Sequence, residues 1–187
     1  MVWRFPCTPF ADGAGVAVNT VTLTGSGMTK LPAIPKALLV RGGHIALKAT
    51  LEVTSTSATP TVLLDFRLGA PNSAIASKII LAQSPALAIN VAATAWPGIM
   101  EYDGTIRDLS ATAGVINGQG TVKSGFGAAG GLALALAEFP MPITAALRTV
   151  STLVTSVDLE ADVGVTLSSV TGTPSVLITN LWAELSG

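Results

Sequence analysis

A strict alternation of side-chain character over residues 157–168 constrains the fold of this chain more than any other feature. Apolar side chains occupy every odd position: Val157, Leu159, Ala161, Val163, Val165 and Leu167. Polar or small residues occupy every even position: Asp158, Glu160, Asp162, Gly164, Thr166 and Ser168. A period of two places the two sets on opposite faces of a β-strand, whereas a helix needs apolar residues three and four apart. The alternation predicts an antiparallel strand with one face in a core and the other in water.

Further segments of this kind recur along the chain, separated by turns rich in Gly, Pro, Ser and Asn. The clearest lie at 45–53, 62–68, 99–109, 113–123 and 176–185. Roughly eight to ten strands at this spacing indicate an all-β protein, an antiparallel two-sheet sandwich of jelly-roll type. We expect Asp65 and Arg67 of the second segment to face solvent. The glycine-rich stretch 125–142 is predicted to be a loop, with at most a short strand or helical turn at 132–137.

The first 15 residues differ from the rest because they have no period and contain two prolines and two glycines. Proline fixes an extended backbone, so the sequence predicts an extended N-terminal arm at 1–15 and a single sandwich domain at 16–187. Aromatic side chains on an arm suit an interface with another subunit. The predicted partner-interaction residues are Trp3, Arg4, Phe5 and Phe10. The alternative, that the arm packs against its own domain, remains open.

The amino-acid composition limits the kinds of partner that this protein is expected to bind. Hydrophobic residues make up 49% of the 187 residues and charged residues 11%, against about 25% charged in ordinary domains. A surface so poor in charge predicts buried contacts between subunits, and a closed homotrimer satisfies them without open polymerisation. The net charge of −1, without a basic run, argues against nucleic-acid binding. The most apolar stretch, 125–143, is interrupted by glycines and prolines, and no membrane partner is expected.

Residues that could carry chemistry are few. The chain has one cysteine, Cys7, and one histidine, His44, and it has no G-x-S-x-G motif for a nucleophilic serine. An intrachain disulfide is excluded, and a zinc site would need several carboxylates in addition. His44 is expected to be an exposed or hydrogen-bonded structural residue. The N-terminus lacks the basic start and apolar run of a secretory signal.

Two sets of neighbouring acidic residues suggest alternative functions, which the sequence favours only weakly. Asp158, Glu160 and Asp162 could hold calcium on one strand face, but a solvated face is the favoured interpretation. Glu101 and Asp103 could act as a glycosidase pair, yet aromatic residues for sugar stacking make up only 5% of the chain. We therefore expect no enzymatic activity, no catalytic residue, no cofactor and no metal site.

Several segments in order resemble jelly-roll virion structural proteins of tailed phages. They are residues 34–43, 49–69, 101–107, 115–121 and 157–185, and they cover most of the chain after residue 30. The resemblance implies a non-enzymatic protein of the virion, assembled in the host cytoplasm. A capsid decoration or cement protein, bound to the major capsid protein or another virion protein, is the preferred interpretation.

The alternative within this resemblance is a tail or fibre component. Such a component would use its jelly roll to bind a host surface or a glycan. Trp96, Tyr102 and Phe126 are the aromatic residues considered for that role, although nothing in the sequence groups them.

Overall fold

Twelve β-strands make up most of the chain that the computed structural model describes. The described residues are 2–5, 22–23, 33–55, 60–74, 77–89, 93–125, 137–141, 148–168 and 174–187. The strands are β1 (Val2–Phe5), β2 (Thr22–Leu23), β3 (His44–Ser55), β4 (Thr61–Gly69), β5 (Ile79–Gln83), β6 (Leu87–Ala88), β7 (Ala93–Asp108), β8 (Gly114–Ser124), β9 (Ala137–Met141), β10 (Arg148–Leu153), β11 (Glu160–Leu167) and β12 (Ser175–Ser186). A 3-10 turn lies at Lys36–Leu38. Within these ranges, no helix is long and apolar enough to cross a membrane.

The strands form two antiparallel sheets. The large sheet has the order β1-β12-β3-β7-β8-β10, and β9 pairs with the part of β8 that β10 leaves unpaired. The small sheet has the order β2-β11-β4-β5, with β6 also paired to β4. In the large sheet β3 lies beside β12, and in the small sheet β4 lies beside β11. Because β3 leads into β4 and β11 into β12, the two pairs pass together from sheet to sheet. This wrapping confirms the predicted sandwich of jelly-roll type.

The core lies between the sheets and follows the alternation of the strands. In β3, Ile45, Leu47, Ala49, Leu51 and Val53 are buried, and the residues between them are half-buried. Phe66 of β4 and Tyr102 of β7 meet across the core with ring centroids 6.4 Å apart. Each large apolar side chain buried in this way contributes about 1.5–3 kcal/mol.

Two glycines make room for Tyr102. Gly104 of β7 and Gly118 of β8 lie opposite each other in the register, and the tyrosine ring lies over both. A Cβ at Gly104 would come within 2.5 Å of the Tyr102 hydroxyl oxygen. The absence of a side chain at Gly118 therefore allows the Tyr102 ring to approach β8 closely.

The outer face of the small sheet contradicts the prediction of a wet face. Asp65 and Arg67 of β4, and Glu160 and Asp162 of β11, alternate with core residues as expected. Their exposed fractions are nevertheless only 0%, 4%, 3% and 6%. The period of two correctly predicts which side chains share a face, but it does not predict whether that face is covered.

Ion pairs make this burial possible. Arg67 donates from Nε and Nη2 to the two carboxylate oxygens of Asp65, at 2.6 and 3.0 Å. Lys78, buried just before β5, donates to Glu160 Oε1 at 2.8 Å and also to Asp162. The predicted solvated face is therefore wrong for Glu160 and Asp162, because an ammonium group compensates their charges.

Asp158, the third member of that carboxylate group, behaves as predicted. Its side chain is exposed, and it accepts a hydrogen bond from the backbone N–H of Lys36 at 2.9 Å. It lies before β11 and outside the buried part of the face.

The N-terminal segment is in part a strand of the body. Residues 2–5 form β1, which pairs with β12 so that Trp3 lies opposite Leu185 and Arg4 opposite Glu184. For these four residues the backbone follows the alternative in which the segment packs on its own domain. The remainder of 1–15, including Phe10, lies outside the described residues, and the partner role of Trp3, Arg4, Phe5 and Phe10 stays a prediction.

The predicted loop at 125–142 ends in a strand. Residues 137–141 form β9, which pairs with Gly120–Ser124 of β8, whereas 126–136 lie outside the described residues. Pro140 lies in this strand. Among the described residues β9 pairs with β8 alone, and an edge strand accommodates a residue without an N–H group.

Candidate functional site

The outer face of the large sheet carries an open groove of about 520 Å³. This volume lies within the range of small-molecule binding sites. Cross-strand register places its side chains in two rows over β12, β3, β7 and β8. The first row is Trp182, Lys48, Glu101 and Thr121, and the second is Glu184, Ala46, Asp103 and Gln119. The short side chain of Ala46 leaves space between its longer neighbours.

Trp182 is the aromatic residue of the groove. Its neighbours Leu181 and Ala183 face the core, so the alternation of β12 directs the indole outward. The ammonium group of Lys48 lies 4.9 Å from the centre of the indole ring, a cation–π contact. A half-buried indole among polar side chains offers a flat apolar surface to a ring-shaped ligand.

Glu101 lies next to Lys48 and is held in its charged form. Lys48 Nζ lies 2.8 Å from Glu101 Oε1, and Lys123 Nζ lies 3.8 Å from Oε2. The hydrogen bond from Lys48 is the main reason that the pKa of Glu101 is lowered. Partial burial acts in the opposite direction, and the charges of Lys48 and Lys123 lower the pKa further. The carboxylate is therefore ionised at neutral pH and acts as a hydrogen-bond acceptor.

Asp103 and Gln119 supply the most accessible polar groups of the second row. Asp103 is 71% exposed and contacts the imidazole of His44 through one carboxylate oxygen. His44 is therefore hydrogen-bonded, as the sequence predicted. The amide of Gln119, opposite Asp103 in the register, can both donate and accept.

The lowered pKa of Glu101 does not fit the role of general acid in the glycosidase pair considered from the sequence. A glycosidase needs one carboxyl group with a raised pKa as its general acid. In the pair considered from the sequence, the pKa of Glu101 is shifted in the opposite direction. The ionised carboxylate of Glu101 beside an aromatic plane can accept hydrogen bonds from a polyhydroxylated ligand.

The aromatic residues considered from the sequence do not build the groove with their side chains. Tyr102 points into the core against Phe66, and Trp96 packs against the core cluster. Phe126 lies outside the described residues. Sequence reasoning missed Trp182, although a signal existed: the indole occupies a polar phase of β12, between residues that alternate inward.

The geometry of the described residues offers no candidate metal site. Within the described ranges, no group of three or more His, Cys, Asp or Glu residues has an arrangement that could hold an ion. In the calcium alternative considered above, Glu160 and Asp162 already contact the ammonium group of Lys78.

A second surface, which we call the apolar end, lies at one end of the sandwich. The large apolar side chains that are exposed among the described residues are Val40, Leu109, Val154 and Val157. They belong to the segments just before β3, after β7, and between β10 and β11. Hydrogen bonds join these segments, among them Gly42 N–H to the Ile106 carbonyl and Thr155 N–H to the Ser110 carbonyl. Exposed apolar side chains grouped in this way are typical of contact surfaces.

Comparison with known proteins gives sandwich folds at low similarity. No family model matches the chain. No curated protein matches it either. Among solved structures, the chain is similar to the CBM2 module of Lactobacillus casei BL23 phage J-1 evolved Dit, at 12% identity, with 98% of this chain and 89% of that chain covered and a TM-score of 0.33.

Two further likenesses are of the same kind. For an alginate lyase from Alteromonas sp. 272 the identity is 11%, the coverage is 84% of this chain and 77% of that chain, and the TM-score is 0.28. For a legume lectin-like domain from Entamoeba histolytica the identity is 9%, the coverage is 94% of this chain and 89% of that chain, and the TM-score is 0.27. Likenesses this weak carry no argument about function, so the groove and the apolar end must be interpreted from their own chemistry.

Proposed function

We propose that this protein is a non-enzymatic component of a tailed-phage particle that binds a glycan in the groove of its large sheet. The resemblance to jelly-roll virion proteins supports the location. The single observation that carries the glycan assignment is Trp182, an indole on the polar face of β12, bordered by ionised Glu101 and accessible Asp103 and Gln119.

The chemistry of a sugar matches these groups. The C–H face of a sugar ring is apolar and can pack on an indole, while its hydroxyl groups point sideways. Carboxylates accept hydrogen bonds from such hydroxyl groups, and an amide serves both donors and acceptors. An open groove on a sheet face also suits an internal part of a long polysaccharide.

A glycan array tests the proposal. The wild-type protein is applied to immobilised glycans of different sugar and linkage, together with Trp182→Ala and a matched control, Leu177→Ala. Leu177 lies on the same strand and the same outer face but outside the groove. Loss of a buried Trp anchor costs about 2 kcal/mol or more, so Trp182→Ala should weaken binding about 30-fold. The Leu177→Ala control should bind like the wild type, and wild-type protein that binds no glycan would contradict the proposal.

Attachment to the particle is a second candidate function, and the apolar end favours it. In this interpretation the protein decorates the capsid, or joins another virion protein, through Val40, Leu109, Val154 and Val157, in addition to any contact made by Trp3, Arg4, Phe5 and Phe10. Subunits of a homotrimer could share the same surface, because a closed ring buries like patches.

Co-sedimentation with phage particles tests attachment. The double variant Leu109→Asp, Val157→Asp places two charges in the contact and should reduce co-sedimentation at least tenfold, whereas Leu177→Ala should not. Light scattering should give three times 18.8 kDa for the proposed homotrimer. A monomer in solution that also fails to bind particles would exclude this second candidate.

A further inference from the structure

The charges around the groove indicate which sugars it can accept. Among the side chains that line it, three are carboxylates, Glu101, Asp103 and Glu184, and one is an ammonium group, Lys48. Backbone register places Arg4 opposite Glu184 at the rim. Even with Arg4 counted, the carboxylates outnumber the permanent cations.

The ammonium group is also already engaged. Lys48 lies 2.8 Å from Glu101 and over the indole of Trp182, and Lys123, beside the groove, lies within 4 Å of both Glu101 and Glu138. An acidic sugar that binds Lys48 must share the ammonium group with Glu101, and this brings two carboxylates close together. Its own carboxylate would meanwhile lie close to Asp103.

From these contacts we infer that the groove selects neutral and amino sugars and rejects uronic acids. This inference rests on the proposed glycan-binding function and adds the charge class of the ligand. Like charges brought together across a contact repel each other, and this repulsion contributes to the selectivity. An amino sugar has the opposite effect, because its ammonium group can bind the Asp103 carboxylate, of which one oxygen contacts His44.

Calorimetric titration at low salt with three β-1,4-linked hexasaccharides tests the inference. The probes are oligomers of glucose, glucosamine and mannuronate, which differ in charge but not in linkage position. The wild-type protein should bind the uronate at least tenfold more weakly than the other two. Uronate binding as tight as glucose binding would overturn the charge assignment and leave the proposed function standing. If none of the three binds and the glycan array is also negative, the proposed function fails and the inference fails with it.

A variant that is expected to bind the uronate more tightly separates the charge effect from a loss of binding caused by misfolding. Glu101→Gln, Asp103→Asn removes two negative charges and releases Lys48 from its carboxylate partner. Uronate affinity should rise at least fivefold, an outcome that misfolding cannot produce. As a second measurement on the wild type, added salt should strengthen the weak uronate binding, because salt screens the repulsion. Uronate affinity that stays the same in the variant, or that falls with salt, would overturn the inference.

Discussion

The outer faces of the two sheets carry the same kinds of charged residue but expose them to water to very different extents. On the large sheet, Lys48 and Glu101 form an ion pair that water still reaches, with exposed fractions of 31% and 41%. On the small sheet, Lys78 and Glu160 form a pair of the same length, 2.8 Å, with exposed fractions of 0% and 4%. The first pair is available to a ligand, and the second is part of the folded body.

This difference separates a binding face from a structural one. Buried charges have lost their hydration, so each depends on its partner. Surface charges keep most of their hydration and can exchange a protein partner for a ligand at little cost.

Removing the cation of the small sheet should cause the largest loss. Lys78→Ala leaves Glu160 and Asp162 buried without their shared ammonium group, and breaking a buried pair in this way costs about 3–5 kcal/mol. Urea unfolding should show this as a lower midpoint. A loss below about 1 kcal/mol would mean that water reaches these carboxylates, as the alternation alone predicted.

Filling the space over Gly164 should have the next largest effect. A Cβ at this position would lie 2.9 Å from Arg67 Nε and 2.8 Å from Asp65 Cγ, so the buried pair must shift. Overpacking of this kind costs about 1–3 kcal/mol. Thermal unfolding of Gly164→Ala should report it, with Thr166→Ala on the same face of β11 as the control. Equal stability of the two variants would contradict the close packing of Asp65 and Arg67 over the glycine.

The corresponding lysine substitution on the large sheet should lower the stability only slightly. Lys48→Ala removes an exposed ion pair and a cation–π contact, each worth at most about 1 kcal/mol at such a site. In the same urea experiment its effect should be clearly smaller than that of Lys78→Ala. Equal losses for the two lysines would remove the distinction between the faces.

The smallest expected effect is on the pH dependence of stability. Because the pKa of Glu101 is lowered in the folded state, chiefly by the hydrogen bond from Lys48, its ionised form stabilises the fold above the pKa of the unfolded chain. This contribution is lost as the pH falls through the folded pKa. Solvent screening keeps it to a few tenths of a kcal/mol at most.

Comparison of wild type with Glu101→Gln measures this term. The difference in unfolding free energy should shrink from neutral to acidic pH and also shrink with added salt. A difference that grows as the pH falls would mean that the carboxyl group is stabilised in its protonated form.

Much of the fold could be predicted because strand alternation depends on local sequence. The buried residues of β3, and those of β7 from Gly98 to Ile106, follow the period of two. The burial of Glu160 and Asp162 could not be predicted, because it depends on Lys78. This residue lies about 80 residues earlier in the chain, just before β5, and β4 separates β5 from β11 in the small sheet. β9 was missed because Pro140 argues against a central strand and says little about an edge strand.

The candidate site was predicted only in part. Glu101 and Asp103 were recognised as neighbours on one face, and His44 as a hydrogen-bonded residue. The groove itself depends on the register of β12 with β3, which brings Trp182 beside Lys48 from a position more than 130 residues later in the chain. A period of two says which way an indole points, but the neighbour that it meets is set by strand order.

NMR titration of the folded protein with the best glycan of the array tests the central claim most directly. The claim is that the outer face of the large sheet binds ligand and that of the small sheet does not. The account predicts chemical-shift changes at the Trp182 indole N–H, at Ala46 and at the Gln119 side-chain amide, with unchanged resonances at Gly164 and Gln83. Shift changes centred on Gly164 and Gln83, with Trp182 unaffected, would contradict it.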